Sequence, residues 1–381
     1  MSSFNSYLKN GLQLFWSLAY ALKRGRTVGK IKQVRKIIVA QTAKLGDMVC
    51  TTPVLRAIKK NMPEAHLSVV GLKNNRFVLD HSALIDEFID YDGSIPKLTD
   101  IARRFDVGIL VTPNFKILSA FYLSGMPMIV APRVKNGFSP YETMAYKALS
   151  FLVTTRPHYM GRYAPREYLR LLEPLGIFTD STVKSLGFSS NAGYKIKDLL
   201  TKAGFVPAED LLVGVAVSTN NKIKQWPLEK FVEVISYLHE EYNAKVILTG
   251  SQNDETAIKH VLSCLRGNGW FLGSWQLNLD ELKALISKLS LFISVDSGPI
   301  YIAEAFNIPT IDIVGPMDEA EQPPRGGLNE VVILPDRKGP ELHIMNARHY
   351  NYEEARRQIE EITPAMVNEK IDQICSKLNF K

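Results

Sequence analysis

Short apolar runs rich in β-branched residues alternate with helical patterns along most of this chain. The runs are KIIVAQ, HLSVVG, FDVGILVT and PMIVAP in the first half, and LLVGVAVS, AKVILTG, LFISVD and PTIDIVG in the second half. Such runs, separated by helices, are typical of parallel sheets that helices cover on both faces. Because a less regular region near 180–210 separates the two series, the sequence predicts an α/β protein with two doubly wound, Rossmann-like domains that face each other across a cleft.

The chain length also points to more than one domain. Its 381 residues exceed the usual size of a single domain, which is about 100–200 residues. We expect a basic leader (1–34), an N-terminal domain (35–190), a C-terminal domain (205–350) and closing helices (351–381). Cys50, Cys264 and Cys375 are widely spaced and odd in number. They form neither a disulfide framework nor a zinc motif, which favours a reducing, cytoplasmic setting.

The positive charge of the chain is concentrated at its start. The net charge is +7, yet the first 36 residues contain eight Lys and Arg and no acid, so the remainder sums to −1. A nearly neutral body argues against a nucleic-acid groove.

The leader also has an apolar face at helical spacing, with interfacial aromatics beside it. The apolar positions are Phe4, Leu8, Leu12, Phe15, Ala19 and Leu22, and the aromatics are Trp16 and Tyr20. The stretch is too short to span a bilayer, which takes about 20 residues. It suits an interfacial anchor on an anionic leaflet. A helix that packs on the body is the alternative. A signal peptide ending at Ala19-Tyr20-Ala21 is disfavoured, because only Lys9 precedes the apolar part.

Ligands of doubly wound sheets bind beyond the carboxyl ends of the strands, and the first such end is TAKLGDMVCTTP (42–53). Gly46 permits a tight turn there, and Asp47 is expected in a loop before a helix that Pro53 opens. Thr51 and Thr52 are candidate caps of that helix. Asp47 is either a general base for a hydroxyl group or a loop acid that bonds nearby amides.

Two strand ends of the second series also carry polar groups. In VSTNNKIKQWP (217–227), Thr219, Asn220 and Lys224 suit a phosphate, and the alternative is a solvated loop with Trp226 as a packing anchor. In LTGSQNDE, Asp254 either accepts hydrogen bonds from ribose hydroxyls or stabilises the helix dipole.

The stretch Asp296-Ser297-Gly298-Pro299 lies where a strand becomes a helix. Free amides and the positive end of the helix dipole favour an anion at such a point. Gly298 lets a phosphate approach the backbone, and Ser297 adds a donor. The alternative is a plain helix cap.

In their order along the chain, these stretches resemble glycosyltransferase family 9, the ADP-heptose:lipopolysaccharide heptosyltransferases. The resemblance covers about residues 35–316 and is carried by LGDMVCTTPVLRAIKK, STNNKIKQWPLEKF, ILTGSQNDE and SVDSGPIYIAEAFNIPTIDIVGP. It implies a GT-B fold and an inverting enzyme that needs no metal or other cofactor. It places the acceptor on the N-terminal domain and the nucleotide sugar on the C-terminal domain.

The resemblance also implies roles for single residues. Asp47, which follows Gly46 in the acceptor loop, takes the place of the catalytic base, and Lys224 contacts the diphosphate. The other donor-binding positions are Thr219, Asn220, Asp254, Asp296, Ser297, Gly298 and Tyr301. Many members have His where Tyr301 stands; Tyr keeps a hydrogen-bond donor but carries no positive charge near pH 7.

The implied reaction is heptosyl transfer from ADP-heptose to the lipid A-Kdo acceptor of the lipopolysaccharide inner core. The implied place is the cytoplasmic face of the inner membrane, which residues 1–36 would contact. Two alternatives remain: another nucleotide sugar for a different surface glycan, which Tyr301 supports, and a non-catalytic nucleotide-sugar-binding protein. The presence of both Asp47 and Lys224 argues against the latter.

Overall fold

The computed structural model describes residues 13, 15–17, 19–27, 33–207, 209–267 and 269–380. The chain divides into two compact units. Unit 1 comprises the chain up to Leu79, Ala83–Val183 and Ile344–Arg348, and unit 2 comprises Asp80–Ser82, Lys184–His343 and the chain from His349.

Unit 1 is built on a six-stranded parallel sheet. Its strands are β1 (Lys36–Gln41), β2 (His66–Gly71), β3 (Glu87–Asp90), β4 (Val107–Leu110), β5 (Met128–Asn136) and β6 (Thr154–Tyr159). The order β3-β2-β1-β4-β5-β6 reverses the direction of winding between β1 and β4. The α-helices are α1 (Leu45–Asn61), α2 (Arg76–Leu79), α3 (Ile95–Ala102), α4 (Phe115–Leu123), α5 (Met144–Ser150) and α6 (Ala164–Leu169).

Unit 2 repeats this topology. Its strands are β7 (Leu212–Ala216), β8 (Lys245–Thr249), β9 (Phe271–Ser274), β10 (Leu291–Val295), β11 (Thr310–Ile313) and β12 (Asn329–Val332). They lie in the order β12-β11-β10-β7-β8-β9, so the winding reverses between β7 and β10. The α-helices are α7 (Ser190–Lys202), α8 (Leu228–Tyr242), α9 (Glu255–Cys264), α10 (Leu279–Ile286), α11 (Gly298–Ala305), α12 (Tyr352–Glu360) and α13 (Pro364–Leu378).

The central strands are apolar because helices cover both of their faces. Every residue of β7 and β10 is buried. On one face of β10, Leu291, Ile293 and Val295 join the core that α8 and α13 complete. Two parallel, doubly wound α/β units confirm the predicted fold class.

Helix α1 begins earlier than the sequence suggests, so the predicted loop around Asp47 and the predicted helix start at Pro53 are wrong. Pro53 lies inside α1 and removes the N–H that would bond the Val49 carbonyl. The Thr52 hydroxyl donates to that carbonyl instead, at 2.7 Å. Thr51 and Thr52 are therefore buried residues of the helix and not its caps.

The leader is helical at residues 13, 15–17 and 19–24. It packs on α4: the hydroxyls of Ser17 and Ser119 lie 2.8 Å apart, and Tyr20 stands edge-on to Tyr122. Arg24 donates to the carbonyls of Tyr122 and Met126. The predicted apolar positions Phe4, Leu8 and Leu12, and Lys9, lie outside the described residues. Within the described part, no helix is long and apolar enough to cross a bilayer.

Candidate active site

Asp47 lies in the first turn of α1, directly after β1 and at the point where the winding of unit 1 reverses. Its carboxylate accepts a hydrogen bond from the Lys44 N–H at 3.1 Å, which caps the helix. Gly46 beside it is buried, and the Asp47 side chain is half-buried. The structure therefore holds this carboxylate in a fixed place at the strand end.

The segment before Asp47 is held by three amide side chains. Gln41 accepts from the Ala43 N–H at 3.1 Å and donates to the Thr51 hydroxyl at 3.0 Å. Asn75 and Asn114 donate to the Ala43 carbonyl at 2.8 Å and to the Thr42 hydroxyl at 3.2 Å. Since Asn114 follows β4, both strands at the reversal point fix this segment.

In unit 2, Lys224 and Asp296 meet at the corresponding reversal point. Lys224 follows β7 and Asp296 follows β10, and Lys224 Nζ lies 2.7 Å from Asp296 Oδ2. Lys224 also donates to the Asp296 carbonyl, and the Tyr301 hydroxyl donates to Asp296 Oδ1. The Asp296 side chain is only 3% exposed, whereas that of Lys224 is 14% exposed. This pair fixes the loop after β10 and leaves part of the lysine open to solvent.

The loop after β7 is shaped by Gln225. Its amide oxygen accepts from the Thr219 N–H at 3.2 Å, and its nitrogen donates to the carbonyls of Val217 and Trp226 at 2.8 Å. Asn220 is exposed, while Thr219 is buried. Trp226 is fully buried and donates to the Ile362 carbonyl, so it is a packing anchor.

Ser297 stands at the N-cap of α11, and Gly298 is the first residue of that helix. The Ser297 side chain makes no capping hydrogen bond and instead meets the Ser294 hydroxyl at 2.9 Å. Pro299 follows within the first turn, as predicted. A helix start without a side-chain cap suits an anionic ligand.

Asp254 forms local hydrogen bonds at the start of its helix, in line with the alternative to ribose binding. Its Oδ2 accepts from the Ser251 N–H at 2.8 Å and from the Ser251 hydroxyl at 2.7 Å. Burial opposes ionisation, but hydrogen bonds from Ser218 and Ser251 outweigh it, so the pKa of Asp254 lies below its usual value. A charged acid thus stands beyond β8, and its contact with a ribose stays a prediction.

The strands of unit 1 thus end at an acid. The strands of unit 2 end at a lysine, an acid and a helix start without a side-chain cap. Residues 102–350 match the family model described as glycosyltransferase family 9 (heptosyltransferase). The chain belongs to glycosyltransferase family 9. It is therefore an enzyme that transfers glycosyl groups.

Individual relatives agree with this membership. The chain is 26% identical over 286 residues to lipopolysaccharide heptosyltransferase 3 of Escherichia coli, which covers 72% of this chain and 81% of the relative. It is 29% identical over 318 residues to lipopolysaccharide heptosyltransferase 2 of Escherichia coli strain K12, covering 78% and 88%. The fold resembles the solved E. coli ADP-heptose lps heptosyltransferase II, with a TM-score of 0.70 at 20% identity over 90% of this chain and 99% of that one.

Among the residues that the structure describes, this family 9 enzyme has one group with suitable donors for a metal ion: Asp318, Glu321 and His343. His343 Nδ1 lies 3.2 Å from the Asp318 carboxylate and 3.4 Å from that of Glu321. Contact with Asp318 is the main cause that raises the pKa of His343 to about 9, and contact with Glu321 is the second. The imidazolium therefore shares its single positive charge between the two carboxylates, and we assign the group as an ion-pair cluster. The expected metal independence of the reaction stays a prediction.

Two residues beside the candidate site were not predicted from the sequence. Gln225, which holds the loop after β7, resembles any polar loop residue. Asp312 lies in β11 and is fully buried behind Asp296. A single acid inside the apolar run PTIDIVG was the available signal for it.

Proposed function

We propose that this enzyme transfers heptose from ADP-heptose to the lipid A-Kdo region of the lipopolysaccharide inner core, with inversion and without a metal. The observation that carries the proposal is the meeting of Lys224 and Asp296 at the reversal point of unit 2, where doubly wound sheets bind their ligands. The proposal draws further support from relatives named lipopolysaccharide heptosyltransferases and from a similar fold named for ADP-heptose.

In the proposed reaction, an acceptor hydroxyl attacks the anomeric carbon and loses its proton to the Asp47 carboxylate. The new C–O bond forms as the bond to the diphosphate breaks, and that electron pair leaves on the diphosphate. Lys224 and the amides at the start of α11 stabilise this growing charge. Unit 1 thus supplies the base, and unit 2 holds the leaving group.

A second nucleotide sugar remains a candidate substrate because of Tyr301. Its hydroxyl donates to Asp296 in a fully buried position. A tyrosine supplies no positive charge there near pH 7, whereas a protonated histidine does. A nucleotide sugar other than ADP-heptose, used for a different surface glycan, is therefore the alternative.

The test of the donor is a thermal-shift panel with ADP-, UDP-, GDP- and CDP-sugars, followed by transfer assays. A ligand that binds only the folded state raises the melting temperature by mass action. We expect ADP-heptose to give the largest shift and to be transferred to a lipid A-Kdo acceptor. A larger shift with another nucleotide, together with no heptosyl transfer, contradicts the proposal.

We also propose that the leader binds the enzyme to an anionic membrane surface. Its packing face is formed by Ser17, Tyr20 and Arg24, so the apolar face turns away from unit 1. Phe15, Trp16 and Leu22 are 64%, 59% and 91% exposed. A helix that served only to pack on the body would bury its apolar face instead.

The part of unit 1 that the leader contacts carries an excess of positive charge, which suits an anionic membrane. Residues 107–162 contain six Lys and Arg and one acid, Glu142, which is buried. The leader meets this segment at Thr27, whose N–H donates to the Leu152 carbonyl at 2.9 Å. The neighbouring Phe151 is exposed. Positive charge and exposed aromatics together suit an anionic headgroup layer.

We expect the triple variant Phe15→Ser/Trp16→Ser/Leu22→Ser to lose its sedimentation with anionic liposomes. Each large apolar side chain that inserts contributes at least about 1.5 kcal/mol, so partitioning should fall by roughly 10³-fold. These side chains are exposed, so the melting temperature should stay the same. The matched control is Tyr194→Ser, because Tyr194 is 75% exposed on unit 2. Equal sedimentation of all three proteins contradicts the membrane proposal.

A further inference from the structure

Asp312 is a buried acid on β11, the second strand from the edge of the unit 2 sheet. Its side chain is fully buried, and neither carboxyl oxygen has a hydrogen-bond partner within the described residues. An isolated ionised carboxylate is very costly to bury, so such a group stays neutral by keeping its proton. Burying an acid without a hydrogen-bond partner does not stabilise the fold. Because the strand of Asp312 borders the donor loops, we look for a function of this acid there.

The register of the sheet places Asp312 directly behind the donor loops. It lies opposite Ser294 of β10, and the Asp296 N–H donates to the carbonyl of the next residue, Ile313, at 3.3 Å. Its neighbours Ile311 and Ile313 point into the core on the other face of the sheet. The Asp312 side chain therefore shares the face of Ser294 on β10 and of Asp296, which follows β10 and lies two residues after Ser294.

The charged groups around Asp312 are already balanced in pairs. Lys224, from the loop after β7, pairs with Asp296 after β10, and the Tyr301 hydroxyl of α11 donates to the same Asp296. Glu304 of α11 pairs with the buried Lys184. On β12, the residue in register with Asp312 is the apolar Val331. Among the described residues named here, both cations already pair with another acid, so a second negative charge at Asp312 would lack a cation of its own.

Burial is the main cause that raises the pKa of Asp312 well above its usual value, and the negative charge of Asp296 raises it further. Lys224 acts in the opposite direction, and Glu304 adds to the increase. A diphosphate bound at Lys224 and the start of α11 adds more negative charge on the same side. Ligand binding therefore raises the pKa of Asp312 further.

We propose that Asp312 couples donor binding to proton binding, because its carboxyl keeps a proton while the diphosphate is bound. This inference rests on the proposed function, because it takes the loops after β7 and β10 as the diphosphate site. By linkage, the enzyme takes up protons on binding wherever Asp312 is partly ionised in the free protein. Donor affinity then falls as the pH rises through that range, by up to about tenfold per pH unit.

The experiment is calorimetric titration of the full-length protein with ADP at pH 7, 8, 9 and 9.5, in buffers of different ionisation enthalpy. The second ionisation of a phosphate lies near pH 6, so ADP itself takes up little above pH 8. We expect the wild type to take up as much as one proton per ADP in the part of this pH range where Asp312 is partly ionised in the free protein. Asp312→Asn keeps the shape but cannot ionise, so its proton uptake should be smaller and its affinity flatter with pH.

Two further variants keep the result interpretable. Asp312→Val places a β-branched residue in the strand and should show the same loss of pH dependence if the amide of Asn is poorly tolerated. Asp210→Asn removes an acid paired with Lys245 in the same unit and should behave as the wild type. His343, whose pKa is about 9, titrates in every protein and cancels in the differences.

The outcomes separate this inference from the proposed function. Equal proton uptake and equal pH profiles in the wild type, Asp312→Asn and Asp312→Val overturn the role of Asp312 alone. A merely structural Asp312 would change the melting temperature without changing the number of protons bound with ADP. Failure of the wild type to bind ADP at any pH overturns the donor assignment and this inference together.

Discussion

Replacing Asp47 by Asn is expected to slow single-turnover glycosyl transfer about 10²–10⁴-fold, which is the usual loss when a general base is removed. The amide oxygen can still accept the Lys44 N–H that Asp47 accepts at 3.1 Å, so the start of α1 should stay capped. An amide cannot take a proton from the acceptor hydroxyl. Donor affinity and the melting temperature should therefore remain near those of the wild type.

Asp106→Asn is the matched control for this substitution. Asp106 lies in the same unit and accepts from the backbone N–H groups of Arg35 and Lys36 at 2.8 and 2.9 Å, so it has a similar capping duty. It precedes β4 and thus lies at the opposite end of the strands. Asp106→Asn should transfer at the wild-type rate. Near wild-type transfer by Asp47→Asn would exclude Asp47 as the base.

Replacing Lys224 by Ala is expected to slow turnover about 10²–10³-fold and to weaken nucleotide diphosphate binding, because a preorganised donor to the leaving group is lost. The structure adds a cost to stability. Lys224 pairs with Asp296, and removing one partner of a buried pair costs about 3 kcal/mol. A drop in melting temperature alone would thus say little about the ligand.

The double variant Lys224→Ala/Asp296→Asn separates the two effects. Without the aspartate charge, position 296 no longer carries an unpaired buried charge, so the melting temperature should recover while nucleotide binding stays weak. Lys222→Ala is the control for charge, because Lys222 is exposed in the same loop. Unchanged nucleotide diphosphate affinity in Lys224→Ala, measured by calorimetry, contradicts a phosphate-facing role.

The apolar runs of the sequence predict all eight interior strands and none of the four edge strands. β3, β6, β9 and β12 lie at the edges of the two sheets. Only one residue of each of these strands is buried, whereas every residue of β10 is buried. An interior strand is covered on both faces and is therefore mostly apolar. An edge strand is not, so its sequence carries no such pattern.

Local sequence signals also predict the wrong start for α1. Pro at the first turn is a common helix signal, and Thr51 and Thr52 before Pro53 read as caps. The hydrogen bond from Thr52 to the Val49 carbonyl, at 2.7 Å, is what allows Pro53 inside the helix. That replacement depends on a side-chain rotamer and cannot be read from residue order.

Residue order alone shows which residue types stand at the ends of the central strands, because apolar runs mark those strands. Asp47, Lys224 and Asp296 could be named as candidates on that basis. Which of these residues meet depends on how the strands are arranged in the folded protein. Strand order is set by how the helical crossovers pack, so Lys224 and Asp296, 72 residues apart, come together only because β7 and β10 are neighbours. The same packing placed Asp312 behind them without a partner, since burial and pairing belong to the assembled sheet and not to any single segment.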